Sequence, residues 1–157
     1  MKRYRRWIKL TMVCEHQTHL IASAIVSVGP SNDATDFPKA VKQASSHLKL
    51  TSLSADAAGD SEPLHVLCRE ELGIQRTAIP INKRGFDGPV KSGHYRLEMQ
   101  NEFPRKMFGQ RWQIESTFSQ FKRLLGDALT ATSHDGRLRE VLLRVVTHNL
   151  TILGFGT

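Results

Sequence analysis

Three charged side chains in residues 109–122, GQRWQIESTFSQFK, have the spacing of one helix face. At about 100° per residue, Arg111, Glu115 and Lys122 fall within about 40° of one another. One carboxylate beside two cations suits either mutual ion pairing or contact with an anion. Arg111 and Glu115, four residues apart, can form an ion pair that stabilises a helix by about 0.3 kcal/mol. From spacing alone, such a surface pair is the simpler interpretation, and a functional face is the alternative.

The charged trio borders an apolar stripe of the same predicted helix. At the helical period, that stripe consists of Ile114, Phe118, Phe121 and Leu125. A purely solvating face is expected opposite the core, where four other residues project: Gln113, Ser116, Gln120 and Arg123. The trio is therefore expected at the border of the core.

The composition is that of one globular domain with an anionic partner. Of the 157 residues, 39% are hydrophobic and 24% are charged, which argues against a disordered or membrane-spanning chain. The net charge of +7 favours nucleic acid as the partner, because Lys and Arg release counterions from phosphates on binding. No apolar stretch is long enough to cross a bilayer, so we expect no membrane partner.

The N-terminal sequence and the cysteines both favour a cytoplasmic protein. The basic start MKRYRRW and the later LIASAIVSV imitate a signal peptide, but Lys9 and Glu15 interrupt the approach. Cys14 and Cys68 have neither CxxC spacing nor a histidine arrangement typical of zinc. We expect both to be buried, reduced thiols.

The first third of the chain predicts a hairpin followed by a helix. Residues 4–14 and 19–29 are rich in aromatic and β-branched side chains with rough alternation, and the polar EHQT between them suits a turn. The segment SNDAT offers helix caps. In the helix that follows, five apolar residues recur at helical spacing: Phe37, Ala40, Val41, Ala44 and Leu48.

The middle of the chain predicts a strand, a helix and another strand. Residues 50–56 read as a short buried strand, and either Asp60 or Ser61 can cap the next helix, which Gly73 ends. Residues 74–82 are another strand candidate with a proline that favours its edge or end.

Two helices close the chain after a polar loop over about 83–93. The first covers about 102–125, with a break near Pro104 and a stop at Gly126. The second covers about 136–152 and should be largely buried, because it has a wide apolar face: Leu138, Val141, Leu142, Val145 and Val146. The order of strands and helices indicates an α/β fold.

The charged helix carries four residues at the spacings of a known signature. The pattern Phe108-x2-Arg111-x3-Glu115-x6-Lys122 resembles the Tyr-x2-Arg-x3-Glu-x6-Lys signature of DDE transposases from bacterial insertion sequences. In this chain, Phe stands in the tyrosine position.

Two further segments are similar to that family. HNLTIL, residues 148–153, resembles its closing helix. ADAAGDSE, residues 55–62, resembles the segment around its second catalytic aspartate, where an aromatic often stands at the place of Gly59. The resemblance covers nearly the whole chain from about Trp7.

The resemblance implies a ribonuclease-H-like fold in which three carboxylates hold two divalent metal ions. Two hard cations about 4 Å apart can activate the nucleophile and stabilise the leaving oxygen of a phosphodiester. Oxygen ligands suit Mg²⁺ or Mn²⁺. Carried over to this chain, the resemblance assigns Asp56 as the second carboxylate and Glu115 as the third. It gives Arg111 and Lys122 contacts with DNA phosphates or a role in positioning the element ends.

Each assignment has a structural alternative. An aspartate after a short strand, such as Asp56, is commonly a turn or helix cap. Asp60 competes for the catalytic role but is better explained as an N-cap. A histidine on an apolar helix, such as His148, is usually a structural residue. Trp7 and Trp112 could stack on bases, but packing is the expected role of each.

The first catalytic aspartate of the family has no candidate in this sequence. Glu15, Asp33 and Asp36 lie in a turn and around a cap. In the ribonuclease-H-like sheet, the strand carrying that aspartate lies centrally, between the hairpin and the strand that leads to Asp56. We therefore expect a truncated core that lacks its first, central strand, has unpaired strand edges and performs no strand transfer alone.

We interpret residues 1–157 as one partial transposase DDE domain, the C-terminal part of the catalytic domain of an insertion-sequence transposase. Its class is metal-dependent DNA cleavage and strand transfer. The expected partners are DNA at element ends and target, with a second copy or a full-length transposase, at the bacterial nucleoid in the cytoplasm. One alternative is a non-catalytic DNA-binding or regulatory protein, and another is an unstable relic without function.

Overall fold

The computed structural model describes residues 7–29, 33–83, 88–126 and 128–154, with the side chains of residues 33 and 34 left undescribed. Its helices and strands, in chain order, are β1 Ile8–Cys14, β2 Ile21–Val28, α1 Asp33–Ser45, β3 Ser52–Ser54, α2 Glu62–Val66, β4 Arg76–Ala78, α3 His94–Asn101, α4 Arg105–Phe108, α5 Trp112–Leu125 and α6 His134–Gly154. The chain divides into two compact units, one of Met1–Asn32 with Gln113–Thr157 and one of Asp33–Trp112. This mixture of helices and small sheets confirms the α/β class.

The predicted hairpin is present in the first unit. β1 and β2 are antiparallel, with Ile8 opposite Val28 and an irregularity in register between Val13 and Cys14. The described strand β1 begins at Ile8, and residues 4–6 of the predicted strand lie outside the described residues. The alternating β-branched residues thus predicted the pairing correctly.

The hairpin packs against the two C-terminal helices of the same unit. Ile21 of β2, Phe121 of α5 and Val145 of α6 form a buried cluster. Half-buried apolar residues pack around it: Leu10, Met12, Cys14, Ala24 and Leu125. Burying side chains of this kind contributes about 2 kcal/mol each, so the cluster helps to hold the hairpin against α5 and α6.

Helix α6 is less buried than its sequence predicts. Val141 and Val145 are buried, as expected. The neighbouring stripe is exposed, and it consists of Leu142, Leu143, Val146, Leu150 and Leu153. The prediction of a largely buried helix was therefore wrong. A two-stranded hairpin and one helix cover a single stripe of α6, whereas its apolar residues extend around a wider arc.

The second unit contains a parallel pair of strands joined through α2. β3 pairs with β4 so that Leu53 lies opposite Thr77. A parallel pair needs such a helical crossover. Strand β3 was predicted to be buried, but Ser52 is exposed and Leu53 is half-buried. The buried strand is β4, where Thr77 and Ala78 are almost inaccessible.

Helix α1 buries most of the face that its sequence predicts, although Phe37 is only half-buried. Ala40, Val41 and Ala44 are buried. Leu48 was predicted to join them, but the helix ends at Ser45 and Leu48 is exposed. Part of the predicted capping segment, residues 31 and 32, lies outside the described residues.

Helix α2 begins and ends as its sequence predicts. The side chain of Ser61 accepts a hydrogen bond from the Leu64 amide and so caps the helix. The helix continues as a wider π turn over Leu67–Glu71. Gly73 then adopts a φ of 66°, in the left-handed region that glycine enters without steric cost.

Helix α3 was not predicted, and the helix predicted over 102–125 is divided. After α4, a 3₁₀ turn over Gly109–Arg111 leads into α5, and Gly126 ends α5 with a φ of 76°. The break near Pro104 and the stop at Gly126 are therefore confirmed. In the described residues, no helix has the length and apolar character needed to cross a membrane.

Candidate active-site residues

Asp56 lies just after β3, at the carboxyl end of a parallel strand. Its carboxylate accepts a hydrogen bond from the Ala58 amide at 3.1 Å and caps a 3₁₀ turn over Ala57–Gly59. The residue is exposed. The carboxyl ends of parallel strands are where α/β folds bind ligands. Asp56 therefore caps a turn, as the structural alternative predicted, and its carboxylate is also accessible.

Asp60 is excluded as an accessible metal ligand. Its side chain is 1% exposed and accepts two hydrogen bonds from the Arg96 guanidinium, both at 2.8 Å. It also accepts the Asn82 amide at 2.8 Å. The hydrogen bonds from Arg96 to Asp60 raise the pKa of Arg96 above its ordinary value. The prediction that Asp60 is an N-cap was wrong, because Ser61 caps α2 and the carboxylate of Asp60 binds α3 instead.

Glu62 has a second structural role beside Asp60. Its two carboxylate oxygens accept the Tyr95 and Arg96 amides, each at 3.0 Å, at the start of α3. Gly93, with a φ of 98°, leaves room for this carboxylate, because an added Cβ would lie 2.6 Å from it. The acids that follow Asp56 therefore hold α3 in place rather than form a ligand set with it.

Glu115 is exposed on the outer face of α5. Trp112, Ser119 and Lys122 are exposed on the same face, within about 80° of one another at the helical period. Of the residues predicted to form the solvated face, Arg123 is exposed and the other three, Gln113, Ser116 and Gln120, are half-buried. That prediction was wrong for the three, because Thr117 is the buried neighbour on their side of the helix.

The other signature residues lie on either side of Glu115 in the chain: Phe108 and Arg111 before it and Lys122 after it. Arg111 is half-buried, and its guanidinium carbon lies 5.6 Å from the centre of the Phe108 ring. Phe108 in turn meets Phe103 edge to face, with ring centroids 5.2 Å apart. The aromatic position of the signature therefore supports Arg111 directly. Lys122 lies in the last turn of α5.

Both tryptophans are largely exposed, and the packing role predicted for each has support at Trp7 and not at Trp112. Trp7 is 53% exposed and Trp112 is 61% exposed. The Trp7 ring lies over the backbone of Gly29, where an added Cβ would overlap it. Trp112 stands one turn before Glu115 on its exposed face, so tight packing does not explain this large apolar side chain.

His148 is structural, as predicted, and it has partners that the sequence did not indicate. It is fully buried, and its Nε2–H donates to the carbonyl of His19 at 3.1 Å. The neighbouring Asn149 side chain accepts the Ile21 amide and donates to the Ile21 carbonyl, both at 2.9 Å. His148 and Asn149 of α6 therefore both bind the backbone of the hairpin and of its turn.

The two predicted catalytic carboxylates lie in different units, Asp56 in Asp33–Trp112 and Glu115 in the other. Carboxylate oxygens have the right chemistry for Mg²⁺ or Mn²⁺. Within the described ranges, however, no group of three His, Cys, Asp or Glu residues could hold a metal ion. These residues alone therefore do not make a complete metal centre.

Comparison with known proteins identifies the family of the chain. The family described as the transposase DDE domain matches residues 1–150, which is nearly the whole chain. No curated protein and no solved structure matches. Membership implies a ribonuclease-H-like fold, a general role in DNA transposition and recombination, and the use of divalent metals. The chain belongs to the family of the transposase DDE domain.

Proposed function

We propose that this chain is the C-terminal part of the catalytic domain of a bacterial insertion-sequence transposase. The observation that carries the proposal is the exposure of Glu115 and Lys122 side by side on the outer face of α5, at the spacing of the transposase signature. A carboxylate and a cation on one accessible face suit a site that binds both a metal ion and DNA phosphate.

Each site residue has a proposed role. Asp56 and Glu115 are the second and third carboxylates, whose oxygens suit Mg²⁺ or Mn²⁺. Bound divalent ions supply charge neutralisation for cleavage and strand transfer at a phosphodiester. Arg111 and Lys122 bind DNA phosphates and so position the element end or the target. Support for Arg111 comes from its contact with Phe108, which restricts its side chain.

By itself, the 157-residue chain is proposed to be inactive in strand transfer. Asp56 and Glu115 are the proposed second and third carboxylates. Among the described residues, neither belongs to a group of three His, Cys, Asp or Glu side chains that could hold a metal ion. Activity then requires a further carboxylate from another segment or chain, such as a full-length transposase. The proposed location is the nucleoid in the bacterial cytoplasm, in an assembly with DNA.

The test is a cleavage assay with purified chain, Mn²⁺ and duplex DNA carrying the ends of the element. We expect neither cleavage nor joining. Products that disappear in Asp56→Ala but persist in the matched control Asp135→Ala would contradict the proposed inactivity. Asp135 is a suitable control because it is an exposed acid in the first turn of α6.

The second candidate function is non-catalytic DNA binding that regulates a full-length transposase. The net charge of +7 and the exposed Lys122 favour it. Lys122→Ala should weaken duplex binding and reduce its dependence on salt by about one counterion, while Glu115→Ala should not weaken it. Lys49→Ala, at an exposed lysine outside the signature, is the matched control. Absence of binding at low salt would remove this function.

A further inference from the structure

The turn between β1 and β2 contains a strained residue, His19. Among the described residues, it is the one non-glycine residue with a positive φ, at 61°. A side chain other than glycine in this left-handed region costs about 1 kcal/mol or more, and the conformation persists only where surrounding contacts impose it. The contacts of His19 should therefore reveal what the strain supports.

The His19 side chain binds α5. The Thr117 hydroxyl donates its proton to the Gln113 carbonyl at 3.0 Å. Its oxygen therefore accepts the hydrogen bond from His19 Nδ1–H, at 2.9 Å. Thr117 is 1% exposed, so this bond is shielded from water. One end of the strained turn is thus tied to the inner face of α5.

The backbone around His19 binds α6. The carbonyl of His19 accepts Nε2–H of His148. Two residues later, both backbone groups of Ile21 pair with the Asn149 amide, much as a neighbouring strand would pair with them. The φ of His19 therefore allows one short turn to bind α5 through a side chain and α6 through its backbone.

The bond from His19 holds one particular face of α5 against the hairpin. Thr117 follows Glu115 by two residues, which places the two side chains about 160° apart around the helix. Accordingly, Thr117 faces inward and Glu115 faces outward. The buried Phe121 already turns the apolar stripe of α5 inward, and the bond from His19 to Thr117 adds a preferred direction and a preferred distance beside it.

We propose that His19 is a positioning residue that holds α5 at the rotation where Glu115 and Lys122 face outward toward DNA. The strain in the hairpin turn is offset by the bonds to the two helices. This inference rests on the proposed role of Glu115 and Lys122. Removing the His19 side chain should therefore change the orientation of the outer face of α5 and leave the free energy of unfolding nearly unchanged.

The test compares His19→Gly with a matched control in the same turn, His16→Gly. Glycine accepts a φ of 61° without strain, so His19→Gly loses the bond to Thr117 but also loses the steric cost. We expect its urea unfolding midpoint to stay near that of the parent. Its affinity for duplex DNA at low salt, measured by fluorescence anisotropy, should fall several-fold. His16 is exposed and pairs with Glu15 within the turn, so its variant should bind DNA as the parent does.

A second measurement reports the orientation of α5 without DNA. Spin labels at Gln17→Cys and Ser119→Cys measure the distance between the exposed part of the turn and the exposed face of α5. Burial raises the pKa of each native thiol to about 12, so both should react far more slowly than the two introduced cysteines. The distance distribution from pulsed electron resonance should broaden or shift in His19→Gly and not in His16→Gly. An unchanged distribution in His19→Gly would overturn the positioning role.

The two proposals fail in distinguishable ways. If Lys122→Ala leaves DNA binding unchanged, the proposed DNA contact fails, whatever His19→Gly does. If Lys122→Ala weakens binding and His19→Gly shifts α5 but leaves affinity unchanged, the positioning role is overturned. If His19→Gly does not fold, Thr117→Val takes its place, because it removes the hydroxyl at nearly constant volume. Thr117→Ser keeps the hydroxyl and should have the distance distribution and the DNA affinity of the parent.

Discussion

Asp60 offers the sharpest test of how the second unit is held together. Asp60→Ala removes two hydrogen bonds from Arg96 and one from the Asn82 amide, each at 2.8 Å. Breaking a buried ion pair by removing one partner costs about 3 to 5 kcal/mol. The Arg96 side chain remains 28% exposed, so water compensates part of its charge. We therefore expect a loss near the lower limit, about 3 kcal/mol in the free energy of unfolding.

The assay is urea unfolding at neutral pH, followed by circular dichroism. Two further variants test whether the unpaired charge of Arg96 causes the loss of stability. The double variant Asp60→Ala with Arg96→Met should recover about half of it, because no unpaired charge remains. Asp135→Ala, at an exposed acid on α6, should change the free energy of unfolding by less than about 0.5 kcal/mol. Hydrogen exchange at the Tyr95 amide should accelerate in Asp60→Ala, because α3 loses one of its attachments.

Two results would refute this reasoning. Unfolding of Asp60→Ala within about 0.5 kcal/mol of the parent would show that the buried pair contributes little in solution. A variant more stable than the parent would indicate that the desolvation cost of the buried Asp60–Arg96 pair exceeds the gain from its hydrogen bonds.

Three further perturbations have definite expected outcomes. Burial lowers the pKa of His65, so as the pH falls the unfolded chain binds a proton at this histidine before the folded chain does. The free energy of unfolding, measured in urea, should therefore decrease below about pH 6.5. The decrease should be less steep in His65→Asn. Gly93→Ala should cost about 2 kcal/mol, because its φ is 98° and a carboxylate oxygen lies 2.6 Å from the new Cβ, whereas Gly109→Ala, with open space and helical backbone, should be neutral or stabilising in thermal unfolding. Leu150→Lys should change the urea midpoint little, whereas Val145→Ala in the buried cluster should lower it by the equivalent of about 2 kcal/mol; equal effects would mean that the α6 stripe is covered in solution.

The sequence located those features whose causes are local. Gly73 ends its helix as a left-handed glycine, as expected, and Ser61, one of the two caps that the sequence offered, begins it through a hydroxyl cap. The hairpin follows from alternating β-branched residues on either side of a polar turn. Each of these causes acts within a few residues, so it can be recognised without knowledge of the fold.

Features with distant causes were missed. Helix α3 begins where the carboxylate of Glu62 accepts the amides of Tyr95 and Arg96, more than thirty residues further along the chain. Its own sequence is polar and lacks a capping side chain. The burial of Thr117 and the strained φ of His19 likewise depend on the meeting of the hairpin with α5. Sequence periodicity does not contain such contacts.

The sequence alone determined the transposase signature, the helix that carries it and the placement of Glu115 beside Lys122, because helical periodicity follows from residue spacing. Tertiary structure alone decided which acids stay accessible. Asp60 and Glu62 follow Asp56 closely in the chain, yet the first is buried against Arg96 and the second caps α3, while Asp56 remains exposed. Whether a carboxylate pairs with a distant cation or amide depends on how remote segments pack, and that information lies in the folded chain rather than in local spacing.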